Sequence, residues 1–216
     1  MNILIFGATG GTGRQIVAQA LERRHSVTAF VRDAARLQVA HPLLRCVVGD
    51  AMDLGSVGTA LQDQDAVLCA LGTMPEAKGD RSRRQPGVPV CSVGTRNIIQ
   101  AMLQHSVRRL VVETSASVGD SRQAGRFGAG IIIRLLLRDV MEDKERQEMS
   151  VRDSALDWTI IRPVRLSDAA RSDHVRSGKN LAWGLTSAVS RPDVAAVMLD
   201  ALHDAGTLKS AITVLS

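Results

Sequence analysis

The chain contains no tyrosine, and aromatic residues make up only 2% of its 216 positions. The first absence removes the phenol as a proton donor or acceptor. The second excludes a base-stacking platform of the kind single-stranded nucleic acids need, even though 27 Lys and Arg residues give a net charge of +5. The basic residues are scattered apart from Arg81-Ser82-Arg83-Arg84. The charge therefore reads as a solvated surface and a field that attracts a small polyanion, with no nucleic-acid partner. Cysteine is scarce and odd in number: Cys46, Cys69 and Cys91. Cys46 and Cys69 fall inside apolar segments, so all three read as reduced core residues in a reducing compartment. No apolar run approaches the ~20 residues that span a bilayer, so no membrane partner is expected. No cationic-then-apolar leader precedes the first apolar run, and the expected location is cytoplasmic. No metal site is expected.

What is present is an ordinary globular composition, 45% hydrophobic and 23% charged. Short apolar runs recur at Ile3–Phe6, Val27–Val31, Cys46–Val48, Ala66–Ala70, Leu110–Val112, Thr159–Ile161 and Ile212–Leu215. Continuous rather than alternating runs are the mark of parallel strands covered on both faces. Between them lie helical patterns at Gly13–Arg24, Ser56–Leu61, Val93–His105, one long helix around Ile131–Arg152, and Pro192–His203, the last with Ser190 near its cap. The alternation predicts an α/β fold: a Rossmann-like, doubly wound parallel sheet of about seven strands with helices on both faces. Residues 1–216 form a single domain on this reading. Two irregular stretches, Thr73–Pro89 and Arg165–Thr186, follow strand ends and are read as a small substrate-loop region. The run Ile131-Ile132-Ile133-Arg134-Leu135-Leu136-Leu137 is apolar almost all round. We read it as a helix packed between sheet and substrate loops, with a partner-docking surface as the alternative.

The most informative stretch is Gly7-Ala8-Thr9-Gly10-Gly11-Thr12-Gly13, set between the first strand and the first helix. Glycines permit a tight turn and let bare main chain approach a pyrophosphate. The following helix start offers unpaired N–H groups to that anion. Strand, glycine turn and helix in this order predict a dinucleotide site. The second strand then bears on which dinucleotide. It ends Val31-Arg32-Asp33, with Arg36 one turn on. A guanidinium at Arg32 pairs with a 2′-phosphate, which favours NADP(H) over NAD(H); Asp33 is the dissenting residue, able to hold a free ribose hydroxyl. Asp50 after the third strand either accepts from the adenine amino group or caps the next turn. Leu71-Gly72-Thr73 follows the fourth strand, where Gly72 would let main chain pass close to a ribose. Ser115 follows the fifth, where it either donates to the nicotinamide carboxamide or a substrate oxygen, or simply forms a turn.

The lack of tyrosine now becomes specific. The Tyr-x-x-x-Lys pair of the main short-chain dehydrogenases is missing, and Lys144, in Met141-Glu142-Asp143-Lys144-Glu145-Arg146, reads as a solvated helical charge. Alcohol–ketone and epimerase chemistry are therefore not expected. An acceptor that spreads incoming negative charge over its own π system needs no strong acid beside it. Oxidised flavins, quinones and extended tetrapyrroles qualify, and a nearby cation would stabilise that charge. Arg165 after the sixth strand is the candidate, unless it forms a surface ion pair with Asp168.

Taken together, the glycine turn, Val31-Arg32-Asp33-Ala34-Ala35-Arg36-Leu37, Asp65-Ala66-Val67, Leu71-Gly72-Thr73, Thr114-Ser115-Ala116 and Leu156-Asp157-Trp158-Thr159-Ile160-Ile161-Arg162-Pro163 resemble the atypical short-chain reductases. Within them the similarity is to the biliverdin-IXβ reductase/flavin reductase type and its NmrA-like, NAD(P)H-binding relatives. The resemblance implies that Gly7, Thr9, Gly10, Gly11, Thr12, Gly13, Arg32, Arg36, Asp50, Ala51, Leu71, Gly72, Thr73 and Thr114 line an NADP site, with Ser115 and Pro163 beside the nicotinamide. It further implies hydride transfer to a small-molecule acceptor, with flavin as substrate rather than prosthetic group, in a monomer or dimer. This chain departs from the flavin reductase at two histidine positions, now Arg165 and Lys144. That leaves water or Ser115 to supply a proton. The alternative function is a non-catalytic NADP(H)-binding redox sensor.

Overall fold

A computed structural model describes residues 1–72, 88–125, 129–172, 174–179 and 181–216. The chain runs through β1 (Asn2–Phe6), α1 (Gly11–Glu22), β2 (Ser26–Val31), β3 (Leu44–Val48), α2 (Leu54–Ala60), β4 (Ala66–Cys69), α3 (Val90–Gln104) and β5 (Arg109–Glu113). It continues through α4 (Ala129–Leu136), α5 (Arg138–Arg152), β6 (Asp157–Pro163), β7 (Arg165–Ser167), β8 (Arg176–Gly178), β9 (Ala188–Ser190), α6 (Arg191–Ala201) and β10 (Ser210–Leu215). Eight strands form one sheet in the order β3-β2-β1-β4-β5-β6-β10-β8, parallel except for the edge pairing of β8 with β10; β7 and β9 pair separately. All seven expected strands are in the large sheet.

Each central strand feeds two cores. In β1, Ile3 and Ile5 face one side and Leu4 and Phe6 the other, as a period-2 strand requires. Ile3 and Ile5 pack with Ile16, Val17 and Ala20 of α1 and Val194 and Met198 of α6. Leu4 and Phe6 pack with Val57 of α2, Ile98 and Met102 of α3 and Ile160 of β6. Each such buried side chain contributes about 1.5–3 kcal/mol. The register aligns Phe6 with Phe30 and Cys69, Cys69 with Val112, and Glu113 with Ile161. The segments that follow these residues therefore emerge side by side on one edge. The sheet reverses its winding between β1 and β4, so the crevice at their carboxyl ends is the topological switch point, where ligands bind in open α/β sheets.

Four expectations are corrected. Cys46 is exposed, not in the core, because β3 is the edge strand; its neighbour Val48 is 64% exposed. The long helix expected around Ile131–Arg152 is two helices, broken at Leu137, whose φ of −125° and ψ of 39° are not helical. The first, α4, is not sandwiched: Ile131 and Leu136 are 62% and 76% exposed, while Ile133 packs on the core. The stretch Arg165–Thr186 is not wholly irregular, since β7 and β8 lie in it; three-residue strands are too short to show a period. Thr73 and the arginines Arg81, Arg83 and Arg84 lie outside the described residues.

Candidate dinucleotide site

The glycine turn is folded for close approach. Gly7 has φ +77°, and a Cβ there would lie 2.3 Å from the Ala70 carbonyl oxygen at the end of β4. A Cβ on Gly13 would lie 2.0 Å from the Gly7 carbonyl oxygen, which already accepts the Gly10 N–H at 2.9 Å. These two glycines let β1 turn directly into α1 against β4. Gly10 caps α1 with no side-chain hydrogen bond, and the helix has no acidic residue in its first turn. Its leading N–H groups thus have no carboxylate of their own, which suits an incoming anion. Arg14 holds the turn in place by donating from Nε to the Thr9 carbonyl at 3.1 Å and from Nη2 to the Arg36 carbonyl at 3.0 Å. That second bond ties the segment after β2 to the glycine turn.

At the tip of β2, Arg32 is exposed and makes no hydrogen bond or ion pair with a described residue. Asp33 is turned back on its own chain, accepting the Ala35 N–H at 3.0 Å as the cap of a short turn of helix ending at Arg36. Asp50 likewise accepts the Met52 N–H at 3.0 Å, the capping alternative. Ala51 is buried, its carbonyl taken by Asn97 Nδ2 at 2.9 Å. Among the described residues nothing lies within 4 Å of a Cβ on Gly72.

At the ends of β5 and β6, the Thr114 N–H donates to Ile161 and the Ala116 N–H to Pro163. These bonds bracket Ser115 and set it across from the end of β6. Ser115 Oγ accepts the Ser117 N–H at 3.2 Å, and Thr114 Oγ1 is buried, donating to Glu148 Oε1 at 2.7 Å. Glu148 also receives Arg162 Nε at 2.9 Å and Nη2 at 2.6 Å, while Arg162 Nη1 reaches Asp120 at 2.6 Å. The buried Arg162–Glu148 pair locks α5 to β6 and holds the strand ends rigid, with Asp120 joining it from the surface. Removing one member of such a pair costs about 3–5 kcal/mol. Arg165 is exposed at the start of β7 and does not meet Asp168, which pairs instead with Arg191 at 2.5 Å.

Three further residues converge here, one of which the sequence misrepresents and two of which it does not single out. Lys144 is buried, not solvated: its Nζ donates to the main-chain carbonyls of Leu71 at 3.2 Å and Glu113 at 3.1 Å, the ends of β4 and β5. The signal was the spacing Met141, Lys144, Glu148, Val151, one face of α5 whose polar members hid its apolar ones. Glu113 is buried beneath the turn, its Oε1 accepting Thr12 Oγ1 at 3.1 Å. Burial pushes its carboxyl above the usual range, opposed by Lys144, the Thr12 hydroxyl and Arg191. Arg191 begins α6 and lies against Gly11. Next to Lys144, Asp143 caps α3 by accepting the N–H groups of Cys91 and Ser92 at 2.9 and 3.0 Å. The adjacent Cys91 thiol is pushed up to about 12 by burial, so it is inert.

A cradle that admits no Cβ, an uncapped helix start and arginines on its rim together fit a dinucleotide diphosphate. Comparison with known proteins agrees: residues 7–205 match the family described as NAD(P)H-binding. The chain belongs to that family. A 3-beta-hydroxysteroid dehydrogenase of Mycolicibacterium neoaurum is 34% identical over 119 residues, 54% of this chain and 32% of that protein. This chain thus aligns with only about a third of the dehydrogenase's length. An uncharacterized chloroplastic protein of Arabidopsis thaliana, At2g34460, is 26% identical over 206 residues, 93% of this chain and 71% of that one. Among solved structures, ChuY, an anaerobilin reductase from Escherichia coli O157:H7, superposes with a TM-score of 0.82 at 21% identity, covering 99% of this chain and 96% of that one. A Veillonella parvula short-chain dehydrogenase/reductase in complex with NADP gives 0.81 at 17% identity, covering 99% and 93%. The fold is that of NAD(P)H-binding oxidoreductases. Among the described residues, no helix is long and apolar enough to cross a membrane.

Proposed function

We propose that this NAD(P)H-binding protein is an NADPH-dependent reductase that passes hydride to a conjugated, flavin- or quinone-like acceptor. The observation that carries the reading is Lys144: a buried ammonium fixed by the main-chain carbonyls of Leu71 and Glu113 at the strand ends, the second of them two residues along the chain from Ser115. The dinucleotide would be held by the Gly7–Gly13 turn and the start of α1, with Arg32 and Arg36 toward a 2′-phosphate, and it would supply the hydride. Arg32 without a described protein partner and Asp33 committed to its own turn both support NADP(H) over NAD(H).

The remaining chemistry falls to the chain's own side chains. Lys144 presents positive charge to negative charge developing on the acceptor, in a site where burial weakens solvent screening. The Arg162–Glu148 cluster keeps β5, β6 and α5 from shifting, so this charge is already in position. Ser115 Oγ is half-exposed beside Pro163 and can donate to an acceptor oxygen. With no tyrosine in the chain, reduction of an isolated ketone, which needs a proton as its charge forms, is not supported.

The test is NADPH oxidation at 340 nm with FMN, riboflavin or a quinone added. Turnover is expected with at least one acceptor. Lys144→Met should lower kcat roughly 100-fold while NADPH affinity changes little. Tight NADPH binding with no turnover on all three acceptors would overturn the proposal and leave a redox-sensing role.

A further inference from the structure

Arg191 lies across the start of α1. A Cβ built on Gly11 would be 2.4 Å from Arg191 Nε, 2.5 Å from Cδ and 3.2 Å from Cζ, so the side chain runs flat over the first residue of that helix. Its position is set by several contacts. α6 starts directly after β9, and Ser190 and Asp193 bond reciprocally at its first turn. Gln19 of α1 donates to the Pro192 carbonyl at 2.9 Å, clamping the two helices side by side.

A guanidinium against a helix N-terminus is an electrostatic mismatch, because both are positive. Asp168 relieves it from outside, through Arg191 Nη1 at 2.5 Å, but the Asp168 side chain is 88% exposed and such a pair is weakly held. The buried Glu113 carboxyl also feels Arg191, yet burial disfavours its charged form. Two donor systems, the uncapped N–H groups of α1 and the Arg191 fork, therefore face one place without a firmly bound anion among the described residues.

Resting on the dinucleotide reading of the turn, we infer that Arg191 is a diphosphate-binding residue that exchanges the Asp168 carboxylate for the cofactor's pyrophosphate. Asp168 then acts as an internal competitor that holds the arginine ready and favours cofactor release. A planar fork with five N–H donors suits this exchange, since it can bond a phosphate oxygen without leaving the surface of the helix.

The experiment measures dissociation constants of NADPH, NADH and 2′-AMP for the full chain and its variants. Arg191→Gln should weaken NADPH and NADH by a similar factor, about 10- to 50-fold, and leave 2′-AMP, which has no diphosphate, unchanged. Asp168→Asn should tighten both dinucleotides. Arg191→Lys keeps the charge but not the fork and should fall between, which also covers the case where Gln disturbs folding. Unchanged dinucleotide affinity in Arg191→Gln, an equal loss for 2′-AMP, or weaker binding in Asp168→Asn would overturn the inference. An unsubstituted chain that bound neither dinucleotide would instead overturn the reading of the turn, and this inference with it.

Discussion

Replacing Gly13 by alanine puts a Cβ 2.0 Å from the Gly7 carbonyl oxygen, 2.7 Å from its carbon and 2.9 Å from Ala8 Cα. Ordinary contact for a carbon is about 3.5 Å, so roughly 1.5 Å must open. Every atom in the way is main chain, so no rotamer change relieves the clash. Overpacking of adaptable cores costs about 1–3 kcal/mol, and a rigid turn belongs at the upper end. Alanine's better helix propensity returns only about 0.5–1 kcal/mol. The net loss is about 2–2.5 kcal/mol, which for a chain of this length lowers Tm by roughly 4–10 °C. The other glycines grade the effect. Gly7→Ala meets the Ala70 oxygen at 2.3 Å with an unfavourable φ and should fall as far. Gly10→Ala meets the Gly7 oxygen at 3.2 Å and should lose only a little. Gly72→Ala meets no described residue within 4 Å, so its Tm should hold or rise slightly through a stiffer unfolded chain. Circular-dichroism melts of the four variants, with NADPH titration below each transition, test the series. A Gly13→Ala melt within about 2 °C of the unsubstituted chain would refute the packing argument.

Other outcomes follow from the same structure. Arg32→Asp should weaken NADPH about 10- to 100-fold with little effect on NADH; equal losses in a paired titration would remove the 2′-phosphate argument. Glu113 has a carboxyl raised above 4.5 by burial, so the folded chain binds its proton more tightly than the unfolded chain. Its contribution is therefore fullest below pH 4.5 and lost as pH climbs through the raised value. Glu113→Gln should remove this loss, and its urea-unfolding advantage over the unsubstituted chain should be larger at pH 8 than at pH 5. A constant difference would refute the assignment.

Much of the architecture was legible because its causes are local. Ile3–Phe6 and the other buried runs declare strands covered on both faces, and a glycine triplet between strand and helix has few other uses. Ser190 and Pro192 announced the start of α6 for the same reason. The exposure of Cys46 was not legible, because nothing inside Leu44–Val48 says that β3 is the last strand on its side. The break at Leu137 was hidden too, since the apolar run continues straight through it.

The candidate site divides along the same line. The positive φ of Gly7 and the crowding of Gly13 by the Gly7 carbonyl are set within a few residues, so the order of amino acids there is enough to specify them, whereas the Ala70 carbonyl that also crowds Gly7 arrives only with the pairing of β1 and β4. Charge is different, because its meaning depends on burial and on partners far along the chain. Lys144 looks like one more solvated cation until α5 is laid over the ends of β4 and β5. Glu113 looks like an ordinary acid at a strand end until α1 covers it. Arg191 is nearly the length of the chain away from the turn it lies against, and only the packing of α6 on α1 brings them together.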